Sequence, residues 1–216
     1  MCKVTITLLP VECLRTHLGE AARLLSATLY EKMMRYRREE DRLRSFASSL
    51  LLQKAAQGRS IYYNEEGKPL VEGLFFNLSH SGNYAVLAEA DIPVGVDIEE
   101  MVPPGDWARE ALTAQEYKWM LLGKDERDQQ ERFYRLWTRK ESLVKCEGHG
   151  FSLSPGEIST MPVDEAQLIA YAGKTYGICS HNLHGYMLSA ALQGKQPILM
   201  IRNLSWRDLA EDLKRQ

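Results

Sequence analysis

The pentapeptide Gly95-Val96-Asp97-Ile98-Glu99 constrains this chain more than any other stretch. Apolar and acidic residues alternate with the period of an extended strand, so Val96 and Ile98 turn to one face and Asp97 and Glu99 to the other. Farther along, Trp137-Thr138-Arg139-Lys140-Glu141-Ser142-Leu143-Val144-Lys145 reads as helix. There Trp137, Glu141 and Lys145 fall at i, i+4 and i+8, placing a carboxylate and an ammonium on one stripe beside an anchoring indole. A third carboxylate and a cation can therefore meet the strand pair.

Three hard oxygen donors with room for water suit magnesium, which completes its octahedron with waters and substrate phosphates. The chemistry that follows is phosphoryl transfer. Taken separately, each element has a plainer reading. An Asp-x-Glu pair also suits a solvated strand end, and Glu141 with Lys145 also suits a helix surface pair worth about 0.2–0.5 kcal/mol. Their combination makes the candidate site.

Composition excludes several classes. With 216 residues and 44% hydrophobic content, the chain can bury a core as one or two compact domains without disulfides. Cys2, Cys13, Cys146 and Cys179 form no CxxC pair, and the first residues lack a charged region followed by an apolar run and a cleavage site; the expected compartment is the cytoplasm. No apolar run approaches the roughly 18 residues of a membrane span. A formal net charge of −2 gives no global case for nucleic-acid binding. Locally, Lys32, Arg35, Arg37, Arg38, Arg42 and Arg44 crowd one segment, partly offset by Glu39, Glu40 and Asp41. That segment fits either a solvated helix face or a phosphate-reading patch.

The pattern predicts a strand over Lys3 to Leu9 and a long helical stretch from about Leu24 to Ala56, stopped by Gly58. Strands follow at Ile61 to Tyr63, Leu74 to Leu78, Tyr84 to Glu89 and Gly95 to Glu99. Val102-Pro103-Pro104-Gly105 marks a boundary between halves 1–104 and 105–216. Beyond it, Thr113-Ala114-Gln115-Glu116 is a capping box opening a short helix. The helix carrying Glu141 should end near Gly148 to Gly150. From about Glu157 to Tyr171, then Tyr176, Tyr186 to Leu192 and Ile198 to Ile201, short alternating runs suggest an antiparallel sheet. The expected class is α+β, each half a small sheet packed with helices.

With these residues laid out, the chain resembles a 4′-phosphopantetheinyl transferase of the surfactin-synthetase-activating type, within the holo-acyl or peptidyl-carrier-protein synthase superfamily. The resemblance lies in Gly67-Lys68-Pro69, Phe76-Asn77-Leu78-Ser79-His80-Ser81, Gly95 to Glu99, and the Trp137 to Lys145 string followed by Glu147-Gly148-His149-Gly150. It covers about Gly67 to Pro155 and is thin before Leu43 and after Pro155. It implies a pseudo-dimer of two similar halves, and transfer of phosphopantetheine from coenzyme A to a serine of an apo acyl or peptidyl carrier protein, releasing 3′,5′-ADP. By the same resemblance Asp97, Glu99 and Glu141 hold Mg²⁺, Glu141 takes the serine proton directly or through water, and Lys145 offsets charge on the leaving phosphate. Lys68, Ser79 and His80 are placed to contact coenzyme A, with some of Lys32, Arg35 and Arg44 meeting its 3′-phosphate. Glu116 matches a family glutamate near the site, although capping explains it equally well. Since one chain supplies every ligand, a monomer is expected, its site between the halves.

Other features carry no assigned chemistry. His181 and His184 stand at i, i+3 without the Cys or acidic ligands that would complete a zinc set. Met33-Met34 and Tyr62-Tyr63 are expected in the core. Two other functions compete. A metal-dependent nuclease would need a basic track that a slightly acidic chain lacks. A non-catalytic coenzyme A-binding or carrier-binding homologue would be expected to miss one of the acids, yet all three and Lys145 are present.

Overall fold

The computed structural model describes residues 1–148, 154–163 and 168–216, apart from the side chains of Lys32 and Met33. His149 and Gly150, the end of the last resemblance motif, lie outside the described residues. In chain order the elements are β1 (Cys2–Pro10), α1 (Leu18–Leu24), α2 (Ala27–Met34), α3 (Glu39–Ala56), β2 (Ile61–Tyr63), β3 (Pro69–Val71), β4 (Phe75–Ser81), β5 (Tyr84–Ala90) and β6 (Val94–Glu100). They continue with α4 (Ala114–Leu121), α5 (Glu126–Glu147), β7 (Leu168–Tyr171), β8 (Lys174–Leu183), β9 (Tyr186–Gln193), β10 (Pro197–Asn203) and α6 (Trp206–Lys214). The class is α+β, as expected.

Two four-stranded sheets organise the chain, in the orders β10-β1-β5-β4 and β6-β9-β8-β7, with β2 and β3 forming a separate hairpin. Pairing is antiparallel except between β1 and β10. Each sheet carries a long helix. Phe46, Leu50 and Leu51 of α3 pack with Phe76, Ala85 and Leu87 of the first sheet. Leu143 and Val144 of α5 pack with Tyr176, Ile178 and Ala191 of the second. Between the sheets, Val4, Ile6, Val86 and Ala88 meet Val96, Ile98, Leu188 and Ala190 in a shared apolar layer. β6 is therefore covered on both faces, which explains why its apolar residues are β-branched and fully buried.

Strand pairing crosses the division expected near residue 104. β6, with its acidic pair, bonds to β9 in the second sheet, whereas β10 and α6 return to the first, β10 lying parallel to β1. Local periodicity identifies a strand but not its neighbour, so the run Ile198 to Ile201, expected in the C-terminal antiparallel sheet, lies instead in the first sheet. The long helical stretch is likewise two helices, broken over residues 35–38. Charge explains the break. Arg35, Arg37 and Arg38 follow the C-terminal end of α2, and Glu39, Glu40 and Asp41 fill the first turn of α3, the signs that each helix dipole favours. Tyr62, Tyr63 and Met34 are exposed rather than buried, since they lie on a two-stranded hairpin and in the last turn of a short helix. α6 was missed although Ser205 caps it and Trp206, Leu209, Ala210 and Leu213 make a buried helical stripe.

Candidate active site

Gly95 decides how closely the two main elements of the site approach. A Cβ there would collide with the Ser142 carbonyl oxygen and the Cys146 amide of α5, so only glycine lets the helix lie directly on β6. Glu141 and Lys145 then stand over the strand that carries Asp97 and Glu99. Lys145 Nζ donates to Asp97 Oδ1 at 2.6 Å and to Ser79 Oγ at 3.1 Å. α5 stops at Gly148, in the left-handed region with φ of 97°, as a helix C-cap requires. The turn before β3 is wedged against this end. Asn64 Nδ2 donates to the Gly148 carbonyl at 3.1 Å, and Lys68 Nζ to the Lys145 carbonyl at 2.7 Å. Lys68 thus caps α5, and burial above all lowers its pKa, against the opposing pull of Cys146 and Glu147.

β4 and β6 run edge to edge in separate sheets, joined by side chains instead of a backbone ladder. Asn77, Ser79 and Ser81 alternate along β4, and their side-chain oxygens accept from the amides of Val96 at 3.0 Å, Ile98 at 3.4 Å and Glu100 at 3.0 Å. The serines also donate, Ser79 to Asp97 Oδ1 at 2.8 Å and Ser81 to Glu99 Oε2 at 2.7 Å. Ser79, expected at a phosphate, has its proton engaged by Asp97. Trp137 hydrogen-bonds Glu99 from α5, and its ring meets Trp107 edge-on at 5.2 Å.

Three carboxylates converge here on one ammonium. Burial, then repulsion from Asp97, pushes Glu99 up to about 7, while Ser81, Lys145 and Trp137 oppose the rise. Glu141 is pushed up to about 7 by burial and by Asp97, with Lys145 opposing and Glu99 reinforcing. Burial alone would lower Lys145, but Asp97 and Glu141 outweigh it and its pKa rises. His80 is held below the usual histidine range by desolvation within the concave wall, despite its accessible surface, and Lys145 and Arg44 add to this. Arg44 pairs with Asp41 at 2.7 Å.

These groups floor a cleft of about 350 Å³. Its walls include Ser79, His80, Leu78, Pro69 and, from the helical side, Tyr36 with Ser45, Ser48, Ser49 and Leu52 of α3. A second lobe, lined by Lys68, Glu141 and Lys145, continues toward the end of α5. The serine face of α3 went unread in the sequence. Its signal was there, small polar residues at i, i+3 and i+4 opposite the apolar stripe of Leu43, Phe46 and Leu50. The structure gathers Asp97, Glu99, Glu141, Lys145, Ser79, His80 and Lys68 around this cleft. The Lys32 side chain lies outside the described residues. Glu116 is elsewhere, fully buried and 2.6 Å from Lys140 Nζ, accepting from Thr113 and Thr160.

The donor set fits a hard divalent cation. Asp97 Oδ2 is buried with no hydrogen-bond partner among the described residues, and burial together with the Asp97 charge pushes the neighbouring Glu99 and Glu141 up to about 7. No group of three or more acidic, His or Cys side chains among the described residues forms a cage that would hold a metal as it stands.

The acidic strand β6 and the Glu/Lys helix α5 of this α+β fold meet beside the cleft. The family model described as the 4′-phosphopantetheinyl transferase superfamily matches residues 93–196. A 4′-phosphopantetheinyl transferase of Bacillus subtilis is 34% identical over 165 residues, 69% of this chain and 73% of the relative. The transferase Sfp of Bacillus subtilis strain 168 is 35% identical over 57% of this chain and 60% of its own length. The human L-aminoadipate-semialdehyde dehydrogenase-phosphopantetheinyl transferase is 32% identical over 58% of this chain and 42% of its own. The chain belongs to the 4′-phosphopantetheinyl transferase superfamily.

Proposed function

We propose that the protein transfers 4′-phosphopantetheine from coenzyme A to a serine hydroxyl of an apo acyl or peptidyl carrier protein, in a Mg²⁺-dependent reaction that releases 3′,5′-ADP. The observation that carries this is the meeting of Asp97, Glu99, Glu141 and Lys145 on one cleft floor, with Asp97 Oδ2 buried and unpartnered. Asp97, Glu99 and Glu141 would hold the metal, which when bound supplies positive charge to the pyrophosphate. Lys145 neutralises charge on the leaving phosphate, and Lys68 and His80 line the path of the nucleotide. The serine oxygen bonds to the β-phosphorus, the bridge to the α-phosphate breaks, and 3′,5′-ADP carries away the bridging oxygen. Glu141, on the cleft floor beside Lys145, takes the serine proton directly or through a water.

The site joins two units of similar build, one around the first sheet and α3, the other around the second sheet and α5. Every floor residue comes from one chain, which supports a monomer. Free Cys2, Cys13, Cys146 and Cys179 suit the reducing cytoplasm. Incubation with coenzyme A, Mg²⁺ and a panel of apo-carriers, read by intact-protein mass spectrometry, tests the assignment. One phosphopantetheinyl group should be added to at least one carrier. No gain on any would leave a protein that binds coenzyme A or carriers without transfer.

A further inference from the structure

We propose that Ser81 is a positioning residue that aims the Glu99 carboxylate at the cation site and ties that aim to the joint between the two sheets. The inference rests on the metal reading above. Ser81 has one proton, given to Glu99 Oε2 at 2.7 Å, and it receives the Glu100 amide at 3.0 Å. With donor and acceptor both committed, the hydroxyl has no free rotation, and the carboxylate it addresses has a fixed direction. Trp137 of α5 restrains the same carboxylate from another side. Glu99 is thus held from β4 and α5 while growing from β6, and its aim depends on all three staying in place.

Its neighbours on β4 separate the two tasks. Asn77 makes the same joint to Val96 without a hydrogen bond to a carboxylate among the described residues. Ser79 does both for Asp97, but Asp97 is also fixed by Lys145. Ser81 joins seam and Glu99 carboxylate through one hydroxyl, with only a neutral indole among the described residues as the second restraint on that carboxylate. Outer groups that hydrogen-bond metal ligands typically govern affinity by about 10- to 100-fold, and the same range is expected here.

The test is Mn²⁺ binding to the full chain, counted from the free-ion electron paramagnetic resonance signal, together with melting curves with and without Mn²⁺. The variants are Ser81→Ala, Ser81→Thr and Asn77→Ala. Ser81→Ala should weaken Mn²⁺ about 10- to 100-fold and shrink the rise in melting temperature that the ion causes. Ser81→Thr, which keeps the hydroxyl, should restore both. Asn77→Ala should melt lower yet bind Mn²⁺ like the parent chain. Parental affinity in Ser81→Ala would overturn the proposal, as would equal weakening in Asn77→Ala, which would reduce Ser81 to a seam bond. A parent chain that binds no Mn²⁺ would overturn the metal reading itself, a distinct result.

Discussion

Helix α5 presents two lysines to two acids at the same 2.6 Å, and the pairs differ in everything else. Lys140 and Glu116 are both 0% exposed, and each is fully engaged. Lys140 also donates to the Ala111 and Pro155 carbonyls, while Glu116 accepts from Thr113 and from the amide and hydroxyl of Thr160. At the other pair Lys145 is 30% exposed, Asp97 3%, and Asp97 Oδ2 has no partner among the described residues. A sealed pair with every lone pair answered holds a fold together. A pair that opens on a cleft, beside two more carboxyls and with an oxygen left over, is arranged for a ligand.

The strongest way to break this comparison is to remove Lys140. Lys140→Ala leaves Glu116 buried without its partner, and loss of one partner of a buried pair costs about 3–5 kcal/mol; chemical denaturation should show it. Replacing both residues, as Glu116→Leu with Lys140→Met, should recover most of that loss, because a dry pair contributes little over apolar packing. Asp97→Ala should behave oppositely. Its transfer rate should fall by about 10²–10³ or more, while circular dichroism stays that of the parent.

Trp137→Ala sits between these extremes. The indole is half-buried, so its stability cost should lie under the roughly 3–5 kcal/mol of a fully buried aromatic, with transfer reduced because Glu99 loses a restraint. A variant that melts and works normally would remove Trp137 from the account.

The smallest effect is on pH. Glu99 and Glu141 titrate near 7 when folded, against an ordinary 4.5. Below about pH 4.5 both are protonated in either state. Between there and about 7 the folded chain binds more protons, so metal-free stability falls as pH rises. Melting in chelator should drop by a few degrees from pH 5 to 7.5, and Mg²⁺ should reverse the drop. A metal-free melting temperature that rises over this window would contradict the crowding of charge.

The halves of this comparison were not equally legible in the sequence. Asp97, Glu99, Glu141 and Lys145 announce themselves because periods of two and of 3.6 residues fix which face a side chain takes. Lys140 is adjacent to Glu141, yet nothing local told that it points inward to Glu116; that depends on α4 and the 160 region packing behind α5. The same holds for sheet membership. β6 and β10 are plain as strands, but their partners β9 and β1 are chosen by the shared apolar layer, a long-range fact. The serines of β4 stand in a readable motif, but their structural role depends on β6 lying beside them. The break between α2 and α3 is legible in the reversal of charge at Glu39.

The most direct measurement is carrier loading, by intact mass with coenzyme A and Mg²⁺, for Lys145→Met beside the double variant Glu116→Leu, Lys140→Met, each checked for folding. Loading should be lost in the first and retained in the second. Retention in Lys145→Met, or loss in a folded double variant, would mean that the open pair is not the reactive one.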